Sequence, residues 1–139
     1  MKEFLKQYIT KGVFTFNTSE TLSIKCNAPK DAGGIYIVTA VNENSIIYIG
    51  SSGWVCQNGD FKIRNKGMYD RIVKGKQFEK PRKESWKEKM KEENILEIKI
   101  EWFDTFGDNV NHIPAYAEAY CIQRYFEENN CLPKWNTDF

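Results

Sequence analysis

Two tyrosines at short spacing are the first residues in this chain with an evident chemical use. Tyr36 and Tyr48 lie in apolar runs, Ile35 to Val41 and Ile46 to Gly50, on either side of the polar tripeptide Asn42-Glu43-Asn44. Strand-forming residues around a short polar link read as a β-hairpin. By the two-residue period of a strand, Tyr36, Val38 and Ala40 share one face, and Ile46, Tyr48 and Gly50 share one face of the second strand. Each strand then brings a phenolic hydroxyl near the other's, and such hydroxyls can orient a water or an anion. The plainer alternative is a core hairpin whose tyrosines are merely amphipathic.

Charge supplies the second clue. The net charge is +1, yet residues 61 to 100 hold thirteen Lys or Arg against seven Asp or Glu, a local excess of +6. Such asymmetry makes a basic face able to meet phosphate. Within it Lys62, Arg64 and Lys66 sit in a polar loop of 55 to 66 that is longer than an ordinary connection, as functional loops often are. From 79 to 93 Lys and Glu alternate, as on any solvated helix. The cysteines, Cys26, Cys56, Cys121 and Cys131, form no CxxC pair, and His112 is the single histidine. A structural zinc site and a disulfide framework are both disfavoured.

The elements that must position these residues follow from periodicity. Phe4, Leu5, Tyr8 and Ile9 predict a helix within 3 to 14, ended at Gly12. Residues 21 to 26 alternate weakly and suggest an edge strand. After the hairpin, 67 to 73 opens a short helix that turns Met68 and Ile72 to the core, with Arg71 beside that face. Pro81 breaks the pattern. A helix over 83 to 93 buries Trp86 and Met90. Residues 95 to 103 alternate as a strand, with Leu96, Ile98, Ile100 and Trp102 on one side. Pro114 starts a last helix, 114 to 129, with Ala117, Cys121, Ile122 and Tyr125 as its apolar stripe. The sum is one α+β domain of 139 residues: a three-stranded, mainly antiparallel sheet flanked by helices. Residues 1 to 32 read as a leader of helix and edge strand before a main domain of 33 to 139. No apolar run approaches the length of a membrane span. The start lacks the apolar centre of a signal peptide, which favours the cytoplasm.

The tripeptides Gly34-Ile35-Tyr36 and Tyr48-Ile49-Gly50 resemble the signature of the GIY-YIG nucleases. The resemblance extends over 33 to 136 in the same order: Arg71 in GMYDRI, Glu118 in AEAYCIQRYF and Asn136 in PKWN stand where that family carries a helical arginine, a glutamate and a late asparagine. It implies a metal-dependent DNA endonuclease with Tyr36, Tyr48, Arg71, Glu118 and Asn136 as catalytic residues. Glu118 would hold Mg²⁺, for which Mn²⁺ can substitute, since one carboxylate completed by water and phosphate suits that ion. Arg71 would grip a phosphate oxygen through its fork. Tyr36 would serve as general base, with its pKa brought down from about 10, and Tyr48 would orient water or phosphate. Asn136 would tie the tail to the site. Lys62, Arg64, Lys66 and Lys74 are the corresponding DNA contacts.

Here the gap between Gly50 and Arg71 is longer than in compact members, and no separate DNA-binding domain is present. That layout is closest to the restriction branch, and a homodimer would permit double-strand cutting. The competing readings are a nucleic-acid-binding module that kept the fold without catalysis, and a protein-interaction domain that would leave the basic segment unused.

Overall fold

The computed structural model describes residues 1–107 and 109–139. The chain opens with a single helical turn, α1 (Lys2–Leu5), then β1 (Lys11–Phe16) and a second turn, α2 (Leu22–Lys25). The hairpin is β2 (Gly34–Ala40) and β3 (Ser45–Ser52), followed by a two-stranded ribbon of β4 (Trp54–Val55) and β5 (Phe61–Lys62). Helix α3 (Gly67–Lys74) leads into a second small ribbon, β6 (Lys76–Gln77) and β7 (Lys80–Pro81), and directly into α4 (Arg82–Glu92). Strand β8 (Ile98–Asp104) and helix α5 (Pro114–Asn129) complete the fold.

The main sheet has four strands in the order β1-β8-β2-β3, all antiparallel, rather than the three expected. The added strand comes from the segment read as a leader. A helix over 3 to 14 does not form beyond Leu5, because residues 11 to 16 follow the two-residue period instead. Phe14 and Phe16 point into the core while Val13 is exposed. Conversely, residues 21 to 26 are not an edge strand. Leu22 is buried and Ile24 is exposed, and the backbone makes one turn that closes through Cys26 N–H to the Leu22 carbonyl. The expected helices near 67, 83 and 114 form, and Pro114 stands in the first turn of α5, where its missing N–H costs nothing. Leu96 lies ahead of β8 and is exposed, so the strand's inward residues on that side are Ile98, Ile100 and Trp102.

Both faces of the sheet are covered. One carries Tyr36, Val38, Ile98, Ile100 and Phe16 under α3 and α4, with Met68, Ile72, Trp86, Met90 and Trp135 closing the layer. The other carries Ile35, Ile37, Ile49 and Phe103 under α5, with Ala117, Cys121, Ile122 and Tyr8. A bulge in the hairpin alters the expected faces. Val38 pairs with Tyr48 but Thr39 pairs with Ile46, so Ile47 is the extra residue. Ile47 and Tyr48 therefore both face the α3–α4 layer, while Ile46 packs on the α5 side.

Because β1 supplies core side chains, Phe16→Ala should destabilise the whole domain by about 3–5 kcal/mol in urea unfolding. A detachable leader would instead lose well under that, without shifting the main transition.

Candidate functional site

The expected site residues gather around the outer edge of β3, which has no neighbouring strand. Both faces of the sheet are within reach of that edge. Tyr48 faces the α3–α4 layer, whereas Ser51 and α5 lie toward the other. The Ser51 hydroxyl and the Arg71 guanidinium both act on the Glu118 carboxylate, favouring its charged form. Burial pushes the Glu118 carboxyl above its ordinary range, against the Ser51 hydrogen bond and the Arg71 charge, which both hold it down. Ala117 anchors this turn of α5 on the sheet. Arg71 is exposed near the end of α3 and makes no ion pair among the described residues. Its neighbour Asp70 is occupied elsewhere, accepting the Lys66 N–H at 3.1 Å and pairing with Lys74. The guanidinium of Arg71 is thus free for an anion.

The two phenols differ in depth. Tyr36 is fully buried, and its hydroxyl is enclosed without a hydrogen-bond partner. Tyr48 is half-buried and lines a cleft of about 630 Å³ together with Gln77, Trp135 and Asn136. Burial raises the Tyr48 pKa, as do Tyr36 and Glu118, while Arg82 opposes the rise. The Tyr36 hydroxyl lies close to Tyr48, but the two do not align into a hydrogen bond. Tyr48 is therefore a neutral hydroxyl at ordinary pH. Gly50 makes room for both rings: a Cβ there would stand 2.6 Å from Tyr36 Cζ and 2.7 Å from Tyr48 Cε1.

Arg82 is the residue that sequence reasoning missed. It is buried to 2 % exposure, and it forms no ion pair among the described residues. Its Nη1 donates to the Arg71 carbonyl at 2.6 Å, its Nε to Gln77 Oε1 at 3.1 Å, and its Nη2 to the Tyr48 hydroxyl at 3.3 Å. The guanidinium also lies 5.4 Å from the ring centroids of Tyr36, Tyr48 and Trp86. Hydrogen bonds and aromatic faces offset the cost of burying a cation. A signal was present: Arg82 stands four residues before Trp86 and eight before Met90, on the apolar stripe of α4.

Asn136 does bind the tail to the site. Its Oδ1 accepts the Ile49 N–H at 3.0 Å and its Nδ2 donates to the Ile49 carbonyl at 2.9 Å, while Trp135 N–H reaches the Ile47 carbonyl at 2.8 Å. The tail thus shields part of the open edge. Of the expected DNA contacts, Arg64 and Lys74 join Arg71 in lining a second cleft of about 430 Å³, beside Ser51, Trp54 and Asp70. Lys62 and Lys66 are exposed but do not line it. His112 hydrogen-bonds Tyr8 at 2.8 Å on the α5 side and takes no part. Burial raises the Cys26 thiol to about 11 and the Cys121 thiol to about 12, which suits packing rather than nucleophilic use.

The residues present fit a hard cation with few protein ligands. Among the described residues no three His, Cys, Asp or Glu side chains cluster as a metal cage. A lone carboxylate such as Glu118, without a second ligating side chain clustered on it among the described residues, suits Mg²⁺ completed by water and substrate oxygens and does not suit structural Zn²⁺.

Comparison with known proteins returns no match: no family model fits the chain, and no curated protein and no solved structure is similar to it. Among the described residues no helix is long and apolar enough to cross a membrane.

The raised Glu118 pKa has a definite sign. The folded state holds that proton more tightly than the unfolded chain, so this carboxyl favours folding at low pH. That contribution fades as pH rises from the ordinary carboxylate value through the raised one. Glu118→Gln should remove this pH-dependent loss, leaving the variant as stable as the wild type in acid and no less stable at neutral pH. Thermal melts across that range check it. A variant that loses stability at neutral pH would mean that the ionised carboxylate is a structural partner.

Proposed function

We propose that this chain is a metal-dependent endonuclease of the GIY-YIG type that hydrolyses phosphodiester bonds in DNA, with restriction as its most specific role. The observation that carries this is that Ser51 and Arg71 line one cleft at the open edge of β3, with Glu118 of α5 near enough to feel the Arg71 charge and to act on the Tyr48 phenol. Three separate elements thus bring an arginine, a carboxylate and a phenol toward one edge.

The chemistry assigned to each residue follows its surroundings. Arg71, without an ion-pair partner among the described residues, takes a non-bridging phosphate oxygen in its planar fork. Tyr48 accepts a hydrogen bond from Arg82 and so directs its own proton outward, toward water or phosphate. Tyr36 stands behind it with an unused hydroxyl that can receive or relay a proton from the attacking water. Glu118 is the residue that would hold Mg²⁺ or Mn²⁺, which when bound supplies Lewis-acid charge to the phosphate and the leaving oxygen. Asn136 is a positioning residue, since its amide is engaged with the Ile49 peptide.

Supercoiled plasmid incubated with Mg²⁺ should be nicked or linearised. Glu118→Ala should abolish the cutting, and Arg71→Ala should slow it by about 10²–10³-fold, the usual cost of one donor to developing charge. Cutting that survives the loss of Glu118 would place the metal elsewhere. Salt-sensitive DNA binding without cutting, in Mg²⁺ or Mn²⁺, would favour the non-catalytic binding module.

A further inference from the structure

The cleft beside Arg71 contains a feature that phosphate hydrolysis does not require. Of the four tryptophans, Trp86, Trp102 and Trp135 are 0 %, 9 % and 2 % exposed, whereas Trp54 is 45 % exposed and lines this cleft. Tryptophan exposed to this extent is uncommon unless one of its faces has a use. Its backbone is held firmly. Trp54 pairs with Lys62 in the β4–β5 ribbon, and the adjacent Phe61 stacks on Phe106 with ring centroids 4.7 Å apart and planes 9° from parallel. The ribbon therefore fixes the backbone from which the indole projects at the cleft.

The surroundings of the indole are cationic and include a carboxylate oxygen that makes no hydrogen bond among the described residues. Arg64, Arg71 and Lys74 line the cleft with it. Asp70 is buried at 7 % exposure; one carboxylate oxygen accepts the Lys66 N–H, and the other, Oδ1, accepts no hydrogen bond. The nearest cation to Oδ1 is Lys74, 3.7 Å away and largely exposed, so its side chain can turn outward to a phosphate. An aromatic face, three cations and a carboxylate oxygen without a hydrogen bond match the parts of a nucleotide. The face suits the base, the cations suit the flanking phosphates, and the carboxylate suits a base amino group. The cleft, at about 430 Å³, is roomier than one base needs.

We propose that this cleft receives one unstacked base of the bound strand, seated on the Trp54 indole while Arg64, Arg71 and Lys74 hold the phosphates beside it. The proposal rests on the nucleic-acid reading above and narrows it: the substrate is a strand with a base free to leave its stack. Single-stranded, flapped or mismatched DNA then binds better than an uninterrupted duplex, where extruding the base has a cost.

The test is binding without added metal, so that nothing is cut. A short single-stranded oligonucleotide and its abasic counterpart of equal length carry the same phosphates and differ only in bases. The normal strand should quench the emission of Trp54, the tryptophan open to solvent, and bind about 5- to 150-fold more tightly than the abasic one. Trp54→Ala should erase that difference, and Trp54→Phe should keep part of it. Equal affinity for the two strands with unchanged emission would overturn the base site and leave a phosphate-binding groove. Binding of neither strand would overturn the base site and the nucleic-acid reading together.

Discussion

The buried guanidinium of Arg82 is the constraint on which the site depends. It fastens the last turn of α3, the β6–β7 ribbon, β3 and the start of α4 through four partners: the Arg71 carbonyl, Gln77, Tyr48 and the Trp86 ring. None of these elements follows another in regular geometry, so no repeating backbone ladder could set their spacing. A cation that must find every acceptor it can reach sets it instead, since an unsatisfied buried charge is costly. Gly75 leaves room for that junction: a Cβ there would collide with the Arg71 carbonyl oxygen and stand 2.9 Å from Arg82 Nη1. Gln77 in turn is fixed by accepting from both Arg82 and Trp86 Nε1, the latter at 2.8 Å. The backbone carbonyl of Arg71 is thus held rigidly while its side chain remains free, which is the condition for a cation that must meet a ligand in a fixed place.

The second constraint is that β3 lies at the margin of the sheet. An interior strand separates the two layers it supports, and side chains from opposite faces cannot approach one another across it. At an edge they can. Tyr48 comes from one layer and Glu118 from the helix on the other, and the Glu118 charge still reaches the Tyr48 phenol and raises its pKa. The same edge would invite unwanted pairing, and the tail removes part of that hazard by spending Trp135 N–H and the Asn136 amide on Ile47 and Ile49. Access from solvent and protection from unwanted pairing are thus divided along one strand. The Ile47–Ile49 stretch is covered, and the Ser51–Trp54 stretch opens to the cleft.

What was legible in the sequence was the part governed by local rules. The hairpin, α4 and α5 declare themselves through apolar periodicity, polar links and a proline at a helix start, and they form where expected. The N-terminal region was misread because Phe4, Leu5, Tyr8 and Ile9 satisfy a helical spacing that short segments cannot enforce, whereas β1 gains its stability from pairing with β8, a partner nearly ninety residues away. The bulge at Ile47 was hidden for a similar reason: a strand's alternation gives its faces only if no residue is added. Arg82 was passed over because it was counted among the charges of a solvated helix. Its position on the apolar stripe carried the contrary signal, and only a partner set drawn from three other elements explains how a charge can occupy it.

The two tyrosines show how far identical residue types diverge once depth is assigned. From sequence they are equivalent members of one hairpin. In the fold Tyr36 is sealed beneath Gly50 and the Arg82 guanidinium, and Tyr48 stands at the cleft. Depth alone divides what the two hydroxyls can meet. The outer phenol has its pKa raised, so it keeps its proton and works as a donor. The inner one is fully buried, its ring 5.4 Å from the Arg82 guanidinium, a cation that forms no ion pair among the described residues. Both rings lie over one buried guanidinium, so the same cation sets the depth of each: one hydroxyl is left at the cleft and the other is closed off behind it.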